Sequence, residues 1–528
     1  MSDAPKIPHE AQQTAHPHHP PRTEPARDRA TGEGTPAGTG DAGPAPIRFG
    51  TDGWRAVIAE AFTFANVRRV AWALAEHLQA TGRASQGVAV GYDCRFLSDR
   101  FAATVASVLA AAGIPVVLSR TACPTPALSW AVVSRKLGAG VMITASHNPP
   151  EYNGFKLKGW FGGPALPDET RQLEAVLARQ DATRPPGQEP PRGMDLDEAR
   201  RRGRIEEADL IAPYTEQLRR LVDWDRLRAA RLRLVVDPMH GAARGVLAQM
   251  LREAGAEVTE IRGDWNPGFG GLAPEPIAPN LGPAVEAVKS LGAQAVLVTD
   301  GDGDRVGAVD ATGEVLDAQR IFALLLQHLV EVRGWTGSVV KTFAGTRMVD
   351  KLAARYGLPF RETPIGFKHV CEYALKEDVL IGGEESGGIG IKNHMPERDG
   401  LLCNLLLAEI MATRGCTLGQ QVATLMAEIG PHYFQRRDLH LTPDGKNRLL
   451  RHLEEDPPAR LAGWTVEKVD PLDGCKLIFG PSRWILFRAS GTEPVVRVYA
   501  EAESPAEVET LLADGLRLVE SVTGGTGR

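Results

Sequence analysis

The run Ala295-Val296-Leu297-Val298-Thr299 passes directly into Asp300-Gly301-Asp302-Gly303-Asp304-Arg305, and this junction decides the fold. A short apolar strand ending in a glycine-spaced polar loop is the grammar of open α/β sheets, which carry their ligand loops at the carboxyl ends of strands. Three carboxylates at alternate positions, with glycines between them, let the loop curl until all three converge on one hard cation. Oxygen-only donors of this kind suit Mg²⁺, which pairs naturally with phosphate. An EF-hand is excluded, because Arg305 stands at its glycine position and Ala311 where its bidentate Glu belongs. A plain acidic turn is disfavoured, since three clustered Asp without a cation would repel one another.

The same strand-then-loop pattern recurs on both sides. Upstream, the strand Gly140–Thr144 leads into Thr144-Ala145-Ser146-His147-Asn148-Pro149. Small residues and an Asn-Pro turn hold a serine hydroxyl outward, with backbone N–H groups free to meet an anion. Alone, the motif also reads as a strand-ending turn with a capping serine; a hydrolase elbow of the G-x-S-x-G type is missing. Downstream, the strand Val379–Ile381 precedes Gly383-Glu384-Glu385-Ser386-Gly387-Gly388, whose carboxylates and hydroxyl match what sugar hydroxyls need. A glycine-rich turn with charges is the competing reading there. Near the end, Arg488-Ala489-Ser490-Gly491-Thr492-Glu493-Pro494, with Arg497 in the next strand, offers two guanidinium forks and two hydroxyls to one phosphate.

Around these loops the chain alternates strands with amphipathic helices. Val67, Val70, Leu74 and Leu78 recur at helical spacing, Gly87–Tyr92 and Pro115–Leu118 read as strands, and Phe101–Ala112 as a helix. The polar, Pro- and Arg-rich run Asp181–Arg204 reads as a long surface loop or linker. Length alone implies roughly three to five domains. The expected fold class is α/β, with three similar α/β domains and a final α+β domain. The expected boundaries are 1–45 for a tail, 46–215 for the serine-loop domain, 216–329 for the metal-loop domain, 330–430 for the sugar-loop domain and 431–528 for the last.

Residues 1 to about 45 contain no aromatic and only one large aliphatic, Ile7, so they predict a disordered tail whose His16, His18 and His19 are held by no fold. Across the whole chain, 43% hydrophobic and 24% charged residues with a net charge of −6 describe a soluble globular protein and argue for neither nucleic acid nor a membrane surface. The six cysteines are scattered without a C-x-x-C pair, no apolar run reaches the length of a membrane span, and no signal peptide opens the chain. A cytoplasmic location is expected, as a monomer or homodimer.

Together and in this order, the four loops resemble the α-D-phosphohexomutase superfamily, which includes phosphoglucomutases and phosphomannomutases. Phe49-Gly50-Thr51-Asp52-Gly53-Trp54-Arg55 and Tyr152-Asn153-Gly154-Phe155-Lys156 match it as well, so the resemblance runs from about residue 47 to the C-terminus. It implies four domains around one central cleft and a reaction that moves phosphate between C1 and C6 of a hexose, through a phosphoserine and a hexose 1,6-bisphosphate. It further implies Mg²⁺ as cofactor and a small sugar phosphate as partner. Ser146 is then the phosphate carrier, and it completes a metal shell of Asp300, Asp302 and Asp304. Arg305 steadies the phosphoserine. Glu384 and Ser386 grip sugar hydroxyls, Gly366 lies in the sugar-selecting segment Thr363–Lys368, and Lys341 matches a basic site residue. Arg488, Ser490, Gly491, Thr492 and Arg497 form the clamp for the phosphate that stays.

Lys156 is the expected general base, with a proton made easier to lose by nearby cations, and Arg55 an electrostatic helper. His147 and His394 are further catalytic candidates. Some relatives carry a histidine where this chain has Gly388, and His and Lys near His394 and Arg398; Arg398 cannot replace Lys as a proton acceptor. Glucose phosphate is the favoured substrate, with mannose phosphate a second. A phosphoglucosamine-type mutase and a non-catalytic sugar-phosphate sensor are the alternatives.

Overall fold

A computed structural model of the chain describes residues 47–185, 188–489 and 495–524. The expected tail at 1–45 and the clamp residues Ser490, Gly491 and Thr492 lie outside the described residues.

The first sheet contains β1 (Trp54–Val57), β2 (Val88–Tyr92), β3 (Val116–Ser119), β4 (Ala139–Ile143), β5 (Tyr152–Gly159) and β6 (Ile205–Ala208) in the order β1-β5-β4-β2-β3-β6. β4, β2, β3 and β6 run parallel, while β5 turns back antiparallel beside β4. The two-residue period of a strand divides its side chains between two cores. Val88 and Val90 pack with Val67, Leu74, Phe101 and Val105 on one side, whereas Ala89 and Met142 join Leu128 and Val132 on the other.

The second sheet holds β7 (Arg233–Asp237), β8 (Glu257–Glu260), β9 (Ala295–Thr299), β10 (Val306–Asp310) and β11 (Val315–Leu316), ordered β11-β10-β9-β7-β8. The third holds β12 (Ser338–Thr342), β13 (Phe360–Thr363), β14 (Val379–Gly383) and β15 (Ile389–Ile391), ordered β13-β12-β14-β15. The series β5-β4-β2-β3, β10-β9-β7-β8 and β15-β14-β12-β13 are one topology repeated. In each, the last parallel strand folds into an antiparallel neighbour, and the connecting loop holds candidate residues of the sequence reading: Ser146, then Asp300–Asp304, then Glu384–Gly388. The helix Gly400–Arg414 ties the second and third units together. It follows the third sheet yet packs on the second, where Asn404 Nδ2 donates to Val298 O at 2.9 Å and Leu401 and Leu405 share a core with Leu297 and Ala308.

The last unit is an antiparallel sheet of β16 (Tyr433–His440), β19 (Lys468–Asp470), β20 (Cys475–Ile478), β21 (Trp484–Ala489) and β22 (Val495–Ala502), ordered β16-β22-β21-β20-β19, with the small hairpin β17 (Arg460–Leu461) and β18 (Trp464–Thr465). The helices Pro443–Glu455 and Pro505–Thr523 cover one face through Leu449, Leu453, Leu511 and Leu512. The other face meets the third unit, where Trp484, Leu486 and Tyr499 pack on Phe343, Ala344 and Ile365. The architecture is therefore three similar α/β domains and an α+β domain.

The reading of Asp181–Arg204 as loop or linker needs correction. The helix Pro167–Thr183 runs into it, and Leu196–Arg201 forms a short helix capped by Asp195. The strand that follows, β6, pairs with β3 and exposes Glu206 and Glu207 at the sheet edge, which hid it from a search for apolar runs. Among the described residues no single helix is long and apolar enough to cross a membrane.

Candidate active site

Ser146 sits at φ +53°, a left-handed conformation uncommon for a residue with a side chain. Its N–H is held by Thr144 Oγ1 at 2.8 Å, and its hydroxyl donates to Asp300 Oδ2 at 2.9 Å. The serine and acidic loops approach so closely that a Cβ on Gly301 would stand 2.6 Å from the Ser146 carbonyl. Glycine is thus required there by the close approach of the two loops.

One ligand atom from each of Asp300, Asp302 and Asp304 falls within 4.8 Å of the others, and all three residues are fully buried. Asp302 Oδ1 and Asp304 Oδ1 are buried without a hydrogen-bond partner, so the donor set fits a hard divalent cation. Burial, together with Asp302 and Asp304, pushes the Asp300 carboxyl well above its ordinary pKa. Burial also raises Asp302, but Lys156 and Thr125 more than offset it and hold that group low. Thr125, at the start of the helix Thr125–Ser134, donates from Oγ1 to Asp302 Oδ2 at 2.5 Å and from its N–H to Asp302 O at 2.8 Å.

Lys156 on β5 reaches the same cluster. Phe155 and Leu157 turn into the core of the first domain, and the Lys156 ammonium meets Asp302 Oδ2 at 2.7 Å, Asp304 Oδ2 at 2.8 Å and Asp52 Oδ2 at 3.0 Å. The expectation of an easily lost proton is corrected here. Burial does favour the neutral amine, but three carboxylates outweigh it and raise the pKa above that of a free lysine.

Arg55 Nη1 donates to Asn148 Oδ1 at 2.6 Å, beside the serine loop. His147 Nδ1 stands 3.4 Å from Ser146 Oγ; burial and the cations Arg305, Arg55, Lys156 and Arg436 keep its imidazole neutral, well below its ordinary pKa. The Arg305 backbone N–H donates to Asp300 Oδ1 at 3.1 Å, and its guanidinium pairs with Glu275 at 3.4 Å.

The Glu384–Gly388 loop is joined to the acidic loop by a bridge between Arg305 and Gly388. Burial raises the Glu384 carboxyl to about 7, with Arg398 opposing and Glu385 reinforcing the shift. Ser386 is half-buried in the same loop, and Gly366, at φ +129°, lies against the Thr51 methyl of the first domain. On the last domain Arg488 and Arg497 face each other on β21 and β22. Arg488 Nε is held by Asp473 at 2.9 Å, and Arg497 lies 3.7 Å from Asp438.

Two candidates lie elsewhere. His394 is stacked on Trp130 and hydrogen-bonded at 3.0 Å to Asp399, which also accepts the Tyr214 hydroxyl and caps the helix Gly400–Arg414. Its Nε2 is committed to this structural contact, while Nδ1 is buried with no hydrogen-bond partner. Lys341 is buried against Asp350, Glu362 at 3.3 Å and the Thr346 carbonyl at 3.3 Å, so its ammonium is spent inside the third domain instead of facing a substrate.

The residue that links the parts is Arg398, which the sequence marked only as an arginine near a relative's lysine and to which it gave no role. Arg398 pairs with Asp52 of the first domain, Asp304 of the second at 2.8 Å, and Glu384 at 3.5 Å and Glu397 at 3.2 Å of the third. A Cβ on Gly388 would lie 2.4 Å from Arg398 Cδ, so the glycine of the sugar loop leaves room for this arginine. Asp52 was read only as part of a matching stretch, and Arg436 was not named. Arg436 on β16 opposes Tyr499, and the two-residue period brings it to the sheet face that carries Arg488 and Arg497.

The comparisons with known proteins agree with this geometry. Family models described as phosphoglucomutase/phosphomannomutase alpha/beta/alpha domains I, II and III match residues 46–184, 212–313 and 317–429, and that of the C-terminal domain matches 454–517. A phosphoglucomutase/phosphomannomutase from Thermococcus kodakarensis is 31% identical over 477 residues, covering 90% of this chain and 99% of its own. A phosphoglucosamine mutase from Hahella chejuensis is 28% identical over 481 residues, covering 89% and 98%. A crystal structure from Thermus thermophilus, provisionally named a phosphomannomutase, superposes with a TM-score of 0.78 at 39% identity over 90% of this chain and 100% of that one. With four domain models in order and full-length relatives, the chain belongs to the phosphoglucomutase/phosphomannomutase family of the α-D-phosphohexomutase superfamily, and it is an isomerase of the intramolecular phosphotransferase class.

Proposed function

We propose that the chain interconverts hexose 1-phosphate and hexose 6-phosphate, with glucose as the main sugar and mannose as a second, through phospho-Ser146 and a hexose 1,6-bisphosphate. The observation that carries this reading is the 2.9 Å approach of Ser146 Oγ to Asp300 inside the buried acidic cluster. Mg²⁺ held by Asp300, Asp302, Asp304 and the Ser146 oxygen would neutralise phosphoryl charge during transfer.

The chain's own residues account for the remaining tasks. The phosphoryl group leaves Ser146 Oγ as its bond to a sugar hydroxyl forms, and the hydroxyl proton passes to Lys156. That amine becomes a base only when Asp302 and Asp304 turn to other partners, and Arg398, 2.8 Å from Asp304, then opposes its charge. Arg305 and Arg55 offset charge on the phosphoryl oxygens. Glu384 and Ser386 hold sugar hydroxyls, with Gly366 beside them. Arg488 and Arg497, with Ser490, Gly491 and Thr492, grip the phosphate that is not transferred.

The bisphosphate then turns end for end and returns its other phosphate to Ser146. Retention during that turn calls for closure of the last domain, and Gly430, at φ +91°, supplies a hinge between it and the third. This division of labour follows domains at 46–215, 216–329, 330–430 and 431–528.

A phosphoglucosamine-type activity is the second reading, favoured by the relative from Hahella chejuensis that carries that name. Against it stand Glu385 and Gly388 in the sugar loop. Parallel assays with the 1-phosphates of glucose, mannose and glucosamine, with bisphosphate activator supplied, decide the matter. Faster turnover of the amino sugar overturns glucose, and net phosphate release without isomerisation overturns the mutase.

A further inference from the structure

We infer that Arg95 is a positioning residue for phosphoryl transfer, fixing the conformation in which Ser146 can carry phosphate. This rests on the reading of Ser146 as the carrier and assigns a role to Asp93-Cys94-Arg95, a segment just beyond β2. The Arg95 side chain is fully buried. Its Nη2 donates to Ser146 O at 2.6 Å and Asn148 O at 2.6 Å, and its Nη1 to Pro149 O at 2.7 Å and Tyr152 O at 3.0 Å. One planar guanidinium thus gathers four carbonyls of the serine loop, whose oxygens would otherwise crowd together without donors.

Both ends of this guanidinium are fixed. Nε lies 3.2 Å from Asp93 Oδ2, and the same oxygen accepts Thr144 Oγ1 at 2.6 Å. Thr144 Oγ1 in turn accepts the Ser146 N–H at 2.8 Å, so Asp93 reaches the serine backbone through both Arg95 and Thr144. The guanidinium itself is covered by a ring from the second domain, with Arg95 Cζ 4.9 Å from the centre of Phe269. The left-handed φ of Ser146 is therefore over-determined by its surroundings, as a strained conformation in a functional loop must be. Arg95 makes its hydrogen bonds to the serine loop and not to the acidic cluster or the residues proposed to hold sugar or distal phosphate, so it acts through the shape of that loop, with Asp300 and Asp302 felt only as nearby charges.

This predicts a split between turnover and binding that a general loss of stability would not give. The test uses the full chain as Arg95→Met and Arg95→Lys, with Ser146→Ala as control, and glucose 1-phosphate as substrate. Circular dichroism and melting confirm folding, and intact-mass measurement follows Ser146 phosphorylation. Arg95→Met is expected to lower kcat about a hundredfold, as for a misplacement of a reacting group by about 1 Å, with KM changed by less than about threefold. Its phosphoserine is expected to be lost in buffer faster than in the unaltered chain. Arg95→Lys keeps the charge but not the planar fork, and recovers part of kcat.

A folded Arg95→Met with unaltered kcat and phosphoserine lifetime overturns the inference, as does a loss confined to KM with kcat unchanged. Should Arg95→Met fail to fold, Arg95→Lys carries the same comparison. If Ser146→Ala keeps full activity, the carrier reading itself fails, and that result is independent of both Arg95 variants.

Discussion

The Lys156 ammonium and the Asp302 carboxylate meet at 2.7 Å across a domain boundary, although 146 residues separate them in the chain. The ammonium uses carboxylate oxygens that a divalent cation also needs. Removing it should therefore help one process and harm another. Lys156→Met is expected to tighten Mg²⁺ binding at least about tenfold, because a unit positive charge next to the cluster disappears. Turnover should fall about 10²- to 10⁴-fold, as for loss of a general base. Calorimetric Mg²⁺ titration and a coupled assay give the two signs, and weaker Mg²⁺ binding would count against the competition.

The acidic cluster makes a prediction about metal removal. Three buried carboxylates with two unpartnered oxygens are held together against their own repulsion. Added Mg²⁺ should raise the melting temperature, and chelation should abolish turnover reversibly. Asp302→Asn should lose both the thermal response and most activity.

How much of this was legible in the sequence follows from where the information lies. The Ser146, Asp300–Asp304 and Glu384–Ser386 loops each follow a short apolar strand and use small or glycine residues, so neighbours in the chain announce them. The partners of Arg398 and Arg95 carry no such signal. Arg398 finds Asp52 346 residues away, and Arg95 binds carbonyls that any residue would supply. His394 and Lys341 failed for the converse reason: a histidine and a lysine near the expected positions were spent on Asp399, Asp350 and Glu362. The β6 strand was missed because its exposed glutamates look like loop.

Glu384 gives the pH dependence. Its carboxyl is raised from 4.5 to about 7, mainly by burial. A raised carboxyl binds its proton more tightly in the folded chain than in the unfolded one. Its stabilising contribution is complete below about pH 4.5 and is lost as pH rises through about 7. Unfolding by urea between pH 4.5 and 7.5 should show stability falling with pH by an amount on the order of a few kcal/mol from this group. Glu384→Gln, which cannot titrate, should flatten that slope; an unchanged slope would assign the shift elsewhere.

Arg398 tests the joining of the domains. Replacing it by Met takes a shared cation from four buried carboxylates: Asp52 and Asp304 keep Lys156 and Glu397 keeps Lys158, while Glu384 loses the guanidinium beside it. The expected cost is about 3–5 kcal/mol in unfolding free energy, the range for breaking a buried pair by removing one partner. Gly388→Ala should act on the same residue from the other side, because its methyl would stand 2.4 Å from Arg398 Cδ. The two substitutions share one mechanism, so in combination they should destabilise by less than their sum.

Arg488 tests the clamp on the last domain. It lies opposite Arg497 on adjacent strands, and Asp473 fixes its Nε at 2.9 Å while also accepting the Ile365 N–H at 2.8 Å from the third domain. The guanidinium is thus pre-set near the junction about which the last domain would close. Contacts to the phosphate that stays are made in ground and transition states alike, so their loss should appear mainly in KM. Arg488→Ala removes a charge-assisted hydrogen bond of about 1.5–3 kcal/mol, equivalent to roughly tenfold to a hundredfold in KM. Weaker retention during the turn of the bisphosphate should also let that intermediate escape, so the variant should need more added hexose 1,6-bisphosphate to stay phosphorylated. A fall in kcat with KM and activator requirement unchanged would remove Arg488 from the clamp and make it a contributor to the transfer step.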